Sequence, residues 1–126
     1  MLALVVDDSR TIRTVLKGML ERLGFQVVVA AHGAEALIRV GQHGPPALIL
    51  ADWNMPYVNG LDLVKALRSD HAYDGTRLLM VSSETESERV AEVLAAGADE
   101  YAMKPFTADV IAAKLEVLGL LGPSGP

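Results

Sequence analysis

Cysteine is missing from this chain of 126 residues, which removes disulfides, zinc fingers, iron–sulfur clusters and thiol nucleophiles at once. An excess of positive charge is missing too: 11 Lys and Arg stand against 16 Asp and Glu, leaving a formal charge of −5. No basic run along the chain interrupts that balance, so nucleic acid and membrane surfaces are not expected partners. Long apolar runs are also lacking; the stretch from Pro45 to Ala51 falls far below the roughly 20 residues of a spanning helix. The opening, Met1-Leu-Ala-Leu-Val-Val-Asp7-Asp8, has neither the basic start nor the apolar length of a secretion signal, and a cytoplasmic location is the expectation. No internal repeat or low-complexity tract occurs. There is no G-x-G-x-x-G, no G-x-x-x-x-G-K-[ST] and no G-x-S-x-G, which counts against dinucleotides, nucleoside triphosphates and a serine-hydrolase elbow.

What the chain does have is core material. Hydrophobic residues make up 51% and charged residues 21%, enough to argue for one compact domain and against disorder. Two kinds of segment alternate. Short apolar runs (Leu2 to Val6, Gln26 to Ala30, Ala47 to Ala51, Arg77 to Val81, Tyr101 to Met103) read as strands. Between them, apolar residues recur at helical spacing, as in Ile12, Val15, Leu16, Met19, Leu20 and Leu23. Asp8 or Ser9 is the expected cap of the first helix, and Gly24 its end. Ala34 to Val40 predicts a second helix closed by Gly41 and Gly44-Pro45-Pro46; Leu61, Val64 and Leu67 mark a third. Arg89 to Ala96 reads as a fourth, stopped by Gly97. Thr107 is the expected cap of a fifth, with Val110, Ile111, Leu115 and Leu118 facing inward. Strand–helix units in strict succession predict an α/β fold: a doubly wound, five-stranded parallel sheet flanked by five helices. Residues 1–118 are expected to form the domain, and 119–126 a frayed tail.

In such sheets ligands bind outside the carboxyl ends of the strands. Those ends carry Asp7 and Asp8, then Asp52 with Asn54, then Ser82, Ser83 and Glu84, and finally Lys104. Singly each has an ordinary reading: Asp8 and Asp52 as caps, the serines and asparagines as turn formers, Lys104 as a solvated charge. Jointly they do not, because like charges in one cleft destabilise the fold unless something offsets them. A hard divalent cation answers that need. Mg²⁺ takes oxygen ligands at about 2.1 Å and only one or two carboxylates, and the absence of His and Cys from these strand ends disfavours zinc and copper. A carboxylate beside a metal and an ammonium can attack phosphorus and form an aspartyl-phosphate.

Together, Val5-Val6-Asp7-Asp8-Ser9-Arg10, Asp52-Trp53-Asn54-Met55-Pro56 with Asn59-Gly60, Met80-Val81-Ser82 and Lys104-Pro105-Phe106 resemble the response-regulator receiver domains, particularly their stand-alone chemotaxis members. The resemblance runs from Leu2 to about Leu118. It implies the flavodoxin-like strand order 2-1-3-4-5 and a two-component signalling switch rather than an enzyme acting on other molecules. It also implies that Asp52 accepts phosphate from a histidine kinase. Asp8 then corresponds to a direct Mg²⁺ ligand, Asp7 to one acting through water, and Asn54 to a backbone-carbonyl ligand. Ser82 corresponds to the hydroxyl that follows the phosphoryl group, and Lys104 to the site lysine, with Lys104-Pro105 cis. Tyr101 corresponds to the aromatic that moves inward on activation, and Asn54 and Glu84 to positions that tune dephosphorylation. The implied output is a monomer that binds a downstream protein, the flagellar motor switch being one candidate, through the face of the fourth helix, fifth strand and fifth helix.

Two departures stand out. Asn59 replaces a common Asp before Gly60, and Glu84 to Arg89 is acidic where enteric chemotaxis members are basic. A helix start favours acidic residues anyway, but the run also bears on whether the same motor partner would bind. Three other readings stay open: a phosphorelay shuttle, a receiver cut from a longer regulator, and a non-phosphorylated interaction module. A Mg²⁺-dependent phosphohydrolase would need an acid two residues after its nucleophile, where Asn54 stands. Trp53, next to the acceptor, is expected on the rim and partly exposed.

Overall fold

The computed structural model describes residues 1–53, 58–82 and 87–122. Its elements alternate throughout: β1 Leu2–Val6, α1 Arg10–Arg22, β2 Gln26–Ala30, α2 Gly33–His43, β3 Leu48–Asp52, α3 Gly60–Arg68, β4 Arg77–Ser82, α4 Ser87–Ala96, β5 Glu100–Met103 and α5 Ala108–Val117, with a 3₁₀ turn at His71–Tyr73. All strand pairings are parallel and the order is β2-β1-β3-β4-β5.

Strand parity splits the core into two layers. Leu4, Val6, Ile49, Ala51, Leu78 and Met80 face α2, α3 and α4, where Val40, Leu63, Leu67 and Val93 meet them. Their neighbours Ala3, Val5, Leu48, Leu50, Leu79 and Val81 face α1 and α5, against Leu16, Leu20, Ile111 and Leu115. Both faces being covered, the central strands must be apolar at every position; all five residues of β3, Asp52 included, are buried.

Ser9 caps α1, its Oγ accepting from the Ile12 N–H at 3.3 Å; Asp8 is left free of that duty. The second helix runs past Gly41 to His43 and ends at Gly44, whose φ of +82° supplies the left-handed turn that Gly41 does not adopt. Val110 is 41% exposed, so the buried face of α5 is Ile111 and Leu115 with Leu118 just beyond. Thr107 caps α5.

One guanidinium ties the edge opposite the strand carboxyl ends. Arg68, at the end of α3, donates from Nε to the Gly97 carbonyl at 2.9 Å, from Nη1 to Tyr73 at 2.7 Å and from Nη2 to Thr76 at 2.8 Å. Nη2 also meets Asp99 Oδ2 at 2.8 Å, and Asp99 in turn accepts the Leu78 N–H at 2.8 Å. The α4–β5 junction is therefore set from α3 and β4. Gly97 belongs to this arrangement: its φ is +122°, and a Cβ there would lie 2.6 Å from Arg68 Cγ. Arg68→Ala would strand three carbonyls and a carboxylate, so we expect a loss of about 2–3 kcal/mol in urea unfolding, against a loss within experimental error for the exposed Arg22→Ala.

Candidate functional site

Because the strands are parallel, their carboxyl ends share one edge. Asp7 follows β1 directly, Asp52 is the last residue of β3, Ser82 the last of β4, and Lys104 follows β5. Register aligns them: Asp52 pairs with Val81, and Ser82 with Met103.

Carboxylate oxygens of Asp7, Asp8 and Asp52 all lie within 4.8 Å of one another. Asp7 is 1% exposed and Asp52 6%, while Asp8 is open to solvent. Lys104 reaches across from the β5 end, its Nζ donating to Asp52 Oδ2 at 3.0 Å and lying 3.5 Å from Asp7 Oδ2. The peptide bond from Lys104 to Pro105 is cis. Asp7 is held by its own turn: Oδ1 accepts the Ser9 N–H at 2.8 Å, and its carbonyl accepts from Arg13 Nη1 at 2.7 Å. Burial pushes the Asp7 carboxyl above its ordinary pKa, and the charges of Asp52 and Asp8 add to this; the Ser9 bond and Lys104 offset only part. Burial pulls the Lys104 ammonium down, but the hydrogen bond and charge of Asp52, joined by Asp7, outweigh it and leave its pKa above normal.

This donor set suits a hard cation. It is all oxygen, two of its three carboxylates are buried, and it carries a charge excess that one ammonium does not cancel.

Behind the acids, Ser82 Oγ is buried and has no hydrogen-bond partner among the described residues. Such a hydroxyl costs about 1–3 kcal/mol until an acceptor arrives. It shares a small cavity with Trp53 and Tyr101. Tyr101 is half-buried; its N–H donates to Glu100 Oε1 at 2.9 Å, and Lys114 Nζ lies 4.8 Å from the ring centroid and 3.3 Å from Glu100 Oε1. Trp53 departs from its expected rim position: it is only 5% exposed, packed in the core layer beneath α3 and α4.

The structure thus brings together Asp7, Asp8, Asp52 and Lys104, with Ser82 and Tyr101 lining the adjacent cavity. Asn54, Ser83 and Glu84 lie outside the described residues. Sequence reasoning passed over Lys114 and Arg89, each over an aromatic ring. Neither belongs to a motif, and only the fold puts those helices beside those strands. It also missed a basic surface, Arg10, Arg13 and Lys17 around one concavity on α1, legible only as i, i+3, i+7 spacing on a helix.

A parallel sheet with an acid cluster and a lysine at its strand ends defines a class of α/β domain built for cation and phosphate chemistry. The family model for the response regulator receiver domain matches residues 3–116, and the chain belongs to that family. It is 43% identical to the chemotaxis protein CheY1 of Helicobacter pylori over 116 residues, 91% of this chain and 94% of that protein. It is also 43% identical to the chemotaxis protein CheY homolog of Campylobacter jejuni over 118 residues, 92% of this chain and 91% of that one. The solved chemotaxis response regulator CheY4 of Vibrio cholerae superposes with a TM-score of 0.85 at 36% identity, covering 93% of this chain and 97% of that one. The chain is a CheY-like receiver of two-component signalling, a family of signalling switches that use Mg²⁺ at an acidic pocket.

Three outcomes follow from the charge balance. Asp7→Asn keeps the acceptor for Ser9 and removes one buried charge, so in EDTA it should raise stability by about 1 kcal/mol, a shift of a few degrees in Tm. Mg²⁺ at ten times its dissociation constant should add about 1.4 kcal/mol to the wild type, and less to Asp8→Asn; an equal gain in both would show that Asp8 does not bind it. The raised pKa of Lys104 gives stability that is present below pH 10.5 and is lost as pH climbs through the higher folded value. Urea titrations at alkaline pH should show a shallower loss in Lys104→Met than in the wild type.

Proposed function

We propose that Asp52 is the phosphoacceptor of this receiver, and that the chain takes its phosphoryl group from a histidine kinase. The observation that carries this reading is the pairing of a buried carboxylate with Lys104 Nζ at 3.0 Å inside a cluster of acids. An oxygen of Asp52 attacks phosphorus as the phosphorus–nitrogen bond of the donor phosphohistidine breaks, the electron pair leaving with the imidazole nitrogen. Lys104 offsets charge on the transferred oxygens, and the Ser82 hydroxyl, which lacks a partner, donates to one of them. Asp7, Asp8 and Asp52, with the backbone carbonyl of Asn54, would hold Mg²⁺, which supplies charge neutralisation at the phosphoryl oxygens. Hydrolysis by water returns the carboxylate, at a rate tuned by Asn54 and Glu84.

The switch follows from local chemistry. Drawing Ser82 toward Asp52 changes the wall it shares with Tyr101, which biases two placements of that ring and reshapes the face of α4, β5 and α5. We read that face as the docking site of a downstream protein. The names of the relatives point to chemotaxis, and the partner we propose is a flagellar motor switch component or another signalling protein. Residues 1–118 act as the receiver unit and 119–126 as a tail, in a cytoplasmic monomer that does not act on nucleic acid or membranes.

The test uses acetyl phosphate as a small donor. With Mg²⁺, intact-mass analysis should find a phosphoryl adduct on the wild type and none on Asp52→Asn, and EDTA should abolish labelling. Adduct persisting on Asp52→Asn would move the acceptor elsewhere. Lys104→Met should slow labelling by about tenfold or more, the scale of losing one charge-stabilising group.

A further inference from the structure

Trp53 directly follows Asp52, yet only 5% of it is exposed. An indole leaving the end of a strand is not buried by the sheet alone; neighbours must cover it. Met80 from β4 and Val93 from α4 share its apolar cluster. A cation adds to that cover: the guanidinium of Arg89, on α4, lies over the ring 5.3 Å from its centroid. The backbone beneath is fixed as well. The Trp53 N–H donates to the Val81 carbonyl at 2.9 Å, and its own carbonyl accepts the Gly60 N–H at 2.9 Å. Gly60 has no room for a side chain, since a Cβ would fall 2.8 Å from Trp53 Cα and 2.7 Å from Met80 Cε. With the strand side rigid, Arg89 and Val93 hold the helix side of the indole, and Arg89 supplies the contact to its π face.

Arg89 also lines the small cavity bounded by Trp53, Ser82 and Tyr101, and it is the charged residue among those lining it. Guanidinium is weakly hydrated and planar, which suits it to a π face better than an ammonium. The wall that carries the Tyr101 ring and the Ser82 hydroxyl, which has no hydrogen-bond partner among the described residues, is therefore closed by a helix tied to the phosphoacceptor's neighbour by this stack as well as by Val93.

We infer that Arg89 is a positioning residue for the phosphoacceptor site: stacked on Trp53, it seats α4 against the residue next to Asp52 and sets how readily the Ser82–Tyr101 wall rearranges. The inference rests on Asp52 being the phosphoacceptor. It assigns Arg89 no contact with the phosphoryl group. An exposed cation–π contact is worth roughly a two- to fivefold change in an equilibrium constant, and that is the size of effect to seek.

The sole tryptophan of the chain is Trp53, so its emission reports the seat without any phosphorylation. In the full chain, Arg89→Met keeps an unbranched apolar stem and loses the charge, Arg89→Ala loses both, and Arg89→Lys keeps the charge without the plane. Acrylamide quenching of Trp53 should rise about twofold or more in the Met and Ala variants, with Lys between them and the wild type. The rate of Asp52 labelling by acetyl phosphate with Mg²⁺ should shift about two- to fivefold in the same order, while Tm stays within a few degrees of wild type. Wild-type quenching in all three variants overturns the seat. Raised quenching with wild-type labelling rates overturns the positioning role. A wild type that takes no label overturns the phosphoacceptor reading and the positioning role together, and is told apart from the other outcomes because it is seen before any Arg89 variant is made.

Discussion

Everything at the carboxyl edge of this sheet answers to one constraint: three carboxylates within 4.8 Å of each other, two of them buried, with a single ammonium against them. Charges at that range repel by roughly 1 kcal/mol in water and several times more at protein-like screening. The fold tolerates this because the acids are not there as packing. Asp7 is pinned by the Ser9 N–H, Asp52 sits at the end of a fully buried strand, and Lys104 is delivered from the far side by β5. Each element ends where its last side chain meets the cluster. A site so arranged gains most from whatever brings positive charge to it.

The opposite edge shows the other half of the balance. There Arg68 satisfies three carbonyls and Asp99 at distances of 2.7–2.9 Å, and Gly97 exists in the one backbone conformation that lets the guanidinium pass. The polar groups gathered around Arg68 are paired. At the functional edge a serine hydroxyl is buried with no partner among the described residues, and burial pushes an aspartate carboxyl above its ordinary pKa. Local violations of this kind gather where a protein does chemistry and are carried by stability elsewhere. The α4–β5 junction is anchored at the paired edge, so changes at the strand ends pivot about a fixed base.

The sheet order, the two-sided burial and the Asp7–Asp8–Asp52–Lys104 constellation were legible because each rests on local signals. Apolar runs mark strands buried on both faces, and the residue following each run is the residue at the rim. Errors arose where the signal was not local. Gly41 and Gly44 both look like helix stops, but stopping needs a left-handed residue, and of the two Gly44 supplies it. Val110 fits an apolar spacing yet points outward, because on the helix it lies about 100° from Ile111 and off the stripe of Ile111, Leu115 and Leu118. Trp53 follows a charged strand end and so reads as rim, while its burial comes from α3 and α4, far along the chain. The Arg68 network is beyond sequence reasoning for the same reason: its partners lie 5 to 31 residues away, and no spacing rule announces them.

That contrast bears on how such a switch is specialised. The residues that define the chemistry sit at strand ends and are fixed by the sheet, so they leave little freedom to vary. Freedom lies in the second ring of contacts: Arg89 over Trp53, and Lys114 over Tyr101 with Glu100 holding both the lysine and the tyrosine N–H. These cations come from α4 and α5, the helices that flank β5. A guanidinium or ammonium on a ring is worth a few tenths to about 1 kcal/mol at such exposure, too little to decide the fold. It is enough to shift an equilibrium between two placements of an aromatic ring severalfold. A receiver can thus keep its acid cluster unchanged and still alter its resting bias, through side chains that never touch the phosphoryl group.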